Sequence, residues 1–238
     1  MKTENEAKVS VDGGVFITFE GGDGAGKSTH MRFLADQLAA CGFEVLKLRE
    51  PGGTAVGEQL RGIVLDPAND DISDMCELYI YEAARAQLVS QVIKPALQRG
   101  AVVICDRFID STVAYQAFGR GLDRKAVDAA NVFACQGIHP TRTIFMSLGS
   151  DASVGLARAK EDHAADRLEL AGLEFHRRVA RGYAVLAAEE PERFRTVIAS
   201  ERRSDTARAV FEQVADLFPE VDPNGIHFDS LDVGLGGR

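Results

Sequence analysis

Gly21, Gly22, Asp23, Gly24, Ala25, Gly26, Lys27 and Ser28 fit the spacing G-x-x-x-x-G-K-[ST], with Thr29 next. Residues of these types at this spacing hold a nucleoside triphosphate by its phosphates. The glycines let the backbone close around a polyphosphate and turn successive N–H groups inward. A helix beginning at the loop adds unpaired N–H donors and the positive end of its dipole. Lys27 brings a mobile point charge for the β- and γ-phosphates, and the Ser28 hydroxyl can ligate Mg²⁺.

Further along, polar residues gather behind short apolar runs. Arg49-Glu50-Pro51-Gly52-Gly53-Thr54 follows the second such run. It reads either as a simple sharp turn or as a turn presenting Arg49 to an oxyanion, which arginine recognises bidentately. The Glu50–Pro51 bond can be cis or trans. Tyr81 and Arg85, four apart, share a helical face. Either Tyr81 packs while Arg85 is solvated, or the ring stacks on a base while the guanidinium donates to its carbonyl. Asp106 ends the apolar run 101–105, where a carboxylate can hold Mg²⁺ directly or through water. Arg107 beside it either bridges phosphates or pairs with Asp106. Tyr115-Gln116 and Gly119-Arg120-Gly121 read as a polar wall and a bend.

The elements that must position these residues follow from periodicity. Strands are expected at 14–20, 43–49, 101–106, 142–148 and 194–199, each short and rich in Val, Ile, Phe or Leu. Helices are expected at 27–41, 74–99, 123–135, 152–160, 167–189 and 204–217; Met31, Leu34, Ala35 and Leu38 form the apolar stripe of the first. This alternation predicts an α/β fold with a five-stranded parallel sheet flanked by helices in three layers, with ligands beyond the carboxyl ends of the strands. Residues 1–13 are expected to be a flexible segment, 14–218 a single domain and 219–238 a flexible tail.

Composition narrows the partners. The 238 residues carry a net charge of −9, which disfavours a nucleic-acid partner. No apolar run approaches the length of a membrane span, and the N-terminus lacks a signal-peptide pattern, so a cytoplasmic location is expected. The four cysteines form no C-x-x-C pair; three lie beside apolar residues and read as small buried hydrophobes in a reducing compartment.

Taken in order, the glycine loop with Lys27-Ser28-Thr29, the run Arg49 to Thr54, Ala83-Ala84-Arg85-x-Gln87, Asp106 to Gln116, Gly119-Arg120-Gly121 and Asp166-Arg167-x-Glu169 resemble bacterial thymidylate kinases over roughly residues 14–200. The resemblance implies a P-loop nucleoside monophosphate kinase that converts ATP and dTMP to ADP and dTDP with Mg²⁺, as a homodimer. It implies that the stretch Gly21–Thr29 binds ATP. It places Asp23 at the 3′-hydroxyl of dTMP, Arg49 and Arg107 at the acceptor phosphate or transferring group, Tyr81 on thymine and Arg85 at its O4. Ser111 and Thr112 fall near N3, Tyr115 under the sugar and Gln116 beside it. Asp166 and Glu169 become acidic lid residues, Asp166 near the substrate and Glu169 near a metal otherwise held by Ser28 and Asp106.

Departures from the family pattern matter too. The fourth strand has Phe145-Met146-Ser147-Leu148 where an acid is usual, and the fifth ends Ile198-Ala199-Ser200-Glu201 where Asp-Ala is usual. Leu168 stands where many relatives have an aromatic. Gly24 occupies a position where some relatives carry an arginine. A catalytic cation is therefore sought in a lid at about 158–170, where Arg158 and Arg167 are candidates alongside Lys27 and Arg107, with Lys160 nearby. Another P-loop nucleotide or deoxynucleoside kinase is the nearest rival reading. A nucleotide switch lacks support, because no N-K-x-D run is present.

Overall fold

The structure, a computed structural model, describes residues 13–22, 24–147 and 166–233. The expected helix at 152–160, Asp23, Arg158, Lys160 and the first part of the expected lid lie outside the described residues, as do 1–12 and 234–238.

Five parallel strands form one sheet in the order β2-β3-β1-β4-β5. They are β1 Val15–Glu20, β2 Val45–Arg49, β3 Val102–Asp106, β4 Arg142–Ser147 and β5 Phe194–Ile198. Register brings the polar strand ends to one edge: Phe19 lies opposite Asp106, and Asp106 opposite Arg49. β1 is buried along its whole length, as a central parallel strand covered on both faces must be. Its side chains alternate between faces. Val15, Ile17 and Phe19 join one core with α1, Lys27–Ala40, and α8, Arg203–Glu212. Phe16 faces the opposite core, with Leu88, Ile93 and Phe108.

The second face is built from α3, Asp74–Leu88, which runs on through a π-helical turn at Val89–Ile93 into α4, Lys94–Gln98. With it lie α5, Ile109–Thr112, continued by a π-helical turn at Val113–Gly119; α6, Arg124–Cys135; and α7, Leu173–Glu189. The expected helix 167–189 starts late, because Gly172 takes φ 89° before α7. A helix absent from the expectation, α2 at Ala55–Leu65, is capped by the Thr54 hydroxyl accepting from the Gly57 N–H at 3.0 Å.

The segment after 218 corrects the sequence reading. Through residue 233 it packs on the first core instead of forming a loose tail. Val221, Ile226 and Phe228 are buried, and the Phe228 ring lies 5.8 Å from Phe33 and 6.1 Å from Phe211. Asp232 accepts from the Ser204 N–H and hydroxyl in the first turn of α8. Two cysteines, Cys105 and Cys135, are buried, whereas Cys41 and Cys76 are exposed, one fewer buried than expected. Among the described residues, no helix is long and apolar enough to cross a membrane.

Candidate active site

One cavity of about 430 Å³ opens at the carboxyl ends of β1, β2 and β3. Gly24, Gly26, Lys27, Ser28 and Thr29 line one wall. Two glycines make that wall possible. Gly21 has φ 134°, and a side chain there would run into the Met146 carbonyl. Gly26, at φ 83°, turns the chain into α1. The Lys27 ammonium donates to the Gly22 carbonyl at 2.9 Å, so the loop holds its own cation in place. His30 contacts the Gly26 carbonyl at 2.9 Å and the Arg203 carbonyl at 3.3 Å, tying the loop to the start of α8.

The Ser28 hydroxyl donates to Asp106 at 2.8 Å. The other Asp106 oxygen is buried and has no hydrogen-bond partner among the described residues. A hydroxyl and a half-used carboxylate suit Mg²⁺, which prefers one or two protein oxygens completed by phosphate and water. Glu169 reaches the same cavity, with one oxygen accepting from the Asp166 N–H at 3.1 Å. Asp166 also lines the cavity, and its carboxylate accepts the Leu168 and Glu169 N–H groups.

Arg49, Arg61 and Arg107 line the same cavity. Arg49 donates to the Pro51 carbonyl at 3.0 Å and to Glu58 at 2.8 Å. The Glu50–Pro51 bond is cis, and the Pro51 carbonyl also receives Arg61 at 3.0 Å. Glu58 is held below the usual carboxylate range by the Gly53 N–H and then by Arg49. Arg107 follows β3 at φ 68°, a left-handed conformation uncommon for a non-glycine residue. Its guanidinium carbon stands 5.2 Å from the centre of the Tyr115 ring. Ser111 and Thr112 also reach the cavity, on the helix that starts just beyond.

Tyr81 and Arg85 share a face of α3 and both line the cavity. Arg85 is not solvated: only 1% of it is exposed. Its Nε donates to a Glu50 oxygen at 2.9 Å, and one terminal nitrogen stands 2.7 Å from the same oxygen as an ion pair. The other terminal nitrogen donates to Glu82 at 2.8 Å and Asn131 at 2.7 Å. Arginine has five N–H bonds. Three make hydrogen bonds here, which leaves the two on the terminal nitrogen nearest Glu50 without a hydrogen-bond partner among the described residues.

Arg167, a candidate catalytic cation in the sequence, is engaged elsewhere in this structure. It does not line the cavity; its guanidinium donates to the Val64 carbonyl at 3.0 Å and to Glu77. The cause is electrostatic. Glu77 is fully buried, and such a charge needs cations and donors around it. Burial works to raise its pKa, but hydrogen bonds from Arg120 and Gln116, with the charges of Arg120 and Arg167, hold it below the usual range. Gln116 lines the cavity yet gives its amide N–H to this same Glu77 at 2.8 Å. Residues the motif reading passed over include Arg61, on the unexpected α2, and Glu20, read only as a strand end.

A phosphate loop and arginines lining one cavity at the mouth of a parallel sheet define an ATP-dependent phosphotransferase of the nucleoside monophosphate kinase class. The thymidylate kinase family model matches residues 19–210. A thymidylate kinase from Pelobacter propionicus is 47% identical over 207 residues, covering 84% of this chain and 94% of the relative. One from Trichlorobacter lovleyi is 45% identical over 204 residues, covering 84% and 96%. The solved thymidylate kinase of Ehrlichia chaffeensis superposes with a TM-score of 0.68 at 29% identity, covering 83% of this chain and 96% of that one. The chain belongs to the thymidylate kinase family.

Proposed function

We propose that the chain transfers the γ-phosphoryl group of ATP to the phosphate of dTMP, giving ADP and dTDP, in the cytoplasm. The observation that carries this reading is one cavity lined both by Lys27 of the phosphate loop and by Arg49, Arg61 and Arg107. A nucleotide switch needs only the first. The acceptor is a phosphate monoester with a second pKa of about 6, so it is mostly dianionic at neutral pH. The nucleophile needs no general base, and the difficulty is bringing two anions into line. The chain's contribution is then positioning and charge neutralisation.

Lys27 would leave the Gly22 carbonyl for the phosphates. Arg49 and Arg107 would hold the acceptor phosphate, Asp23 the 3′-hydroxyl and Tyr115 the sugar face. Tyr81 would stack on thymine while a remaining Arg85 N–H meets O4. Ser28 and Asp106, with Glu169 nearby, would hold Mg²⁺, which when bound neutralises charge on the transferring group. With Arg167 engaged by Glu77, the search for a lid cation narrows to Arg158 and Lys160.

A coupled ADP-release assay with dTMP, dUMP, AMP and no acceptor tests the proposal. The highest kcat/KM is expected with dTMP; a preference for AMP would overturn it. In the same assay Arg158→Ala should lower kcat more than it raises KM for dTMP, and unchanged turnover would remove Arg158 from this role. A homodimer is proposed through α3 and α6, where Met75, Tyr79, Val132 and Phe133 are exposed. Sedimentation as a single-chain species at micromolar concentration would exclude it.

A further inference from the structure

Glu20 is the last residue of β1, directly before the phosphate loop, and is fully buried. One carboxyl oxygen accepts the N–H groups of Phe108 at 2.8 Å and Ser111 at 3.3 Å. The other lies 2.5 Å from the Ser111 hydroxyl and 2.9 Å from that of Tyr183, and these two hydroxyls are 2.9 Å apart. Three oxygens thus form a closed triangle. Tyr183 cannot drift from it, because its ring is buried in α7 and stacked 4.9 Å from Phe145.

The triangle's outlet is Arg107. One terminal nitrogen of Arg107 lies 3.3 Å from the Ser111 oxygen and 3.4 Å from the Tyr183 oxygen, donating to both. Hydroxyls that spend their protons inside the triangle turn lone pairs outward, which is what a guanidinium needs. Glu20 also brackets the backbone. The Arg107 N–H is bound by the Phe19 carbonyl at 2.9 Å, and the next N–H, that of Phe108, by Glu20. A left-handed arginine persists only where its surroundings over-determine it.

We propose that Glu20 and Tyr183 are positioning residues that fix the backbone turn and guanidinium of Arg107 toward the acceptor phosphate. The inference rests on the role proposed above for Arg107. The proton count agrees with it. Three oxygen–oxygen contacts are filled by three protons when Glu20 is protonated and by two when it is ionised. Burial, then the Asp110 charge, push the Glu20 carboxyl up to about 7 against Ser111, Arg107 and the Phe108 N–H.

Initial rates for wild type, Tyr183→Phe, Glu20→Gln, Arg107→Gln and the doubles with Arg107→Gln test this, with dTMP and ATP varied separately. Tyr183→Phe and Glu20→Gln should each lower kcat/KM for dTMP by about 10-fold and change KM for ATP by less than about 2-fold. In the Arg107→Gln background the further loss from Tyr183→Phe should shrink below about 2-fold, since residues acting as one unit are not additive. Undiminished losses in the doubles, with Arg107→Gln itself impaired, would overturn the positioning role alone. A fully active Arg107→Gln would overturn the role of Arg107 and the proposal with it. Should Glu20→Gln fail to fold, Tyr183→Phe, which keeps the stacked ring, carries the test.

Discussion

Replacing Lys27 with alanine is expected to lower kcat by about 10²–10³-fold, the usual cost of removing one preorganised donor aimed at charge that develops in the transition state. Lys27 opens α1 and is almost fully enclosed by the loop, where its ammonium donates to the Gly22 carbonyl. That contact does not demand the lysine for folding. The Gly22 carbonyl also accepts the Ala25 N–H at 3.4 Å, so it keeps a partner in the variant. Alanine is also the better helix former. The melting temperature should therefore barely move while turnover collapses. KM for ATP should change less than kcat, because the ammonium matters most as charge moves between donor and acceptor. Lys27→Arg should not rescue, since a planar guanidinium cannot replace a compact ammonium inside a loop this close. A coupled assay showing kcat within about 3-fold of wild type would remove Lys27 from the chemistry.

Much of this site could be read from the chain because its first half is local. The loop, the strand before it and the stripe Met31, Leu34, Ala35 and Leu38 are contiguous, and their spacing alone dictates strand, turn and helix. Asp106 and Arg107 were legible because an acid ending a buried apolar run has few structural uses. What escaped depends on contacts distant in sequence. Helix α2 carries Gly57 and Gly62 within eleven residues and shows little helical preference. It is held by its Thr54 cap and by Glu58 reaching back to Gly53 and Arg49. The stretch 109–119 holds Thr112, Val113 and Tyr115, poor helix formers, and becomes helical by packing against α7. The 219–233 segment has no period to detect, yet three irregularly spaced apolar residues dock it. Glu20 and Tyr183 stand 163 positions apart, so no motif could join them.

Arg167 shows how a basic residue can take a partner in the fold that its sequence neighbourhood does not announce. A basic residue in a lid segment invites a reading toward phosphate, but a fully buried carboxylate elsewhere in the fold competes for it. Glu77 sits at 0% exposure and collects Arg120, Arg167 and Gln116. Burial is invisible in the sequence around Glu77, which lies in the first turn of α3 beside exposed Asp74 and Met75. Three donors on one buried anion also give α3 a fixed link to the segment leading into α7. Tyr81 and Arg85 lie further along the same helix, so that part of the cavity wall and the segment around Arg167 share an anchor.

Arg85→Met should destabilise the fold by about 3–5 kcal/mol, the cost of leaving a buried charge without its partner. For a chain of this length that corresponds to a fall of about 6–20 °C in melting temperature. Arg85 is the cation of a buried cluster in which Glu50 and Glu82 both lean on one guanidinium. One oxygen of each carboxylate already has no partner among the described residues. Burial holds the Glu50 carboxyl up to about 7 even with Arg85 beside it, with Glu82 adding to the rise. The folded chain thus keeps a proton on Glu50 at pH values where the unfolded chain has lost it. This group's contribution to stability therefore falls as pH rises from the ordinary glutamate range to about 7. Removing Arg85 raises that carboxyl further, so the decline continues to higher pH in the variant. The gap between variant and wild type should be smaller at pH 6, where Glu82 still loses its cation, and reach its full size by pH 8.5. Thermal melts at the two pH values decide it, and an equal gap at both would mean that lost packing, including the contact of Arg85 with the Phe108 ring at 5.1 Å, outweighs the charge.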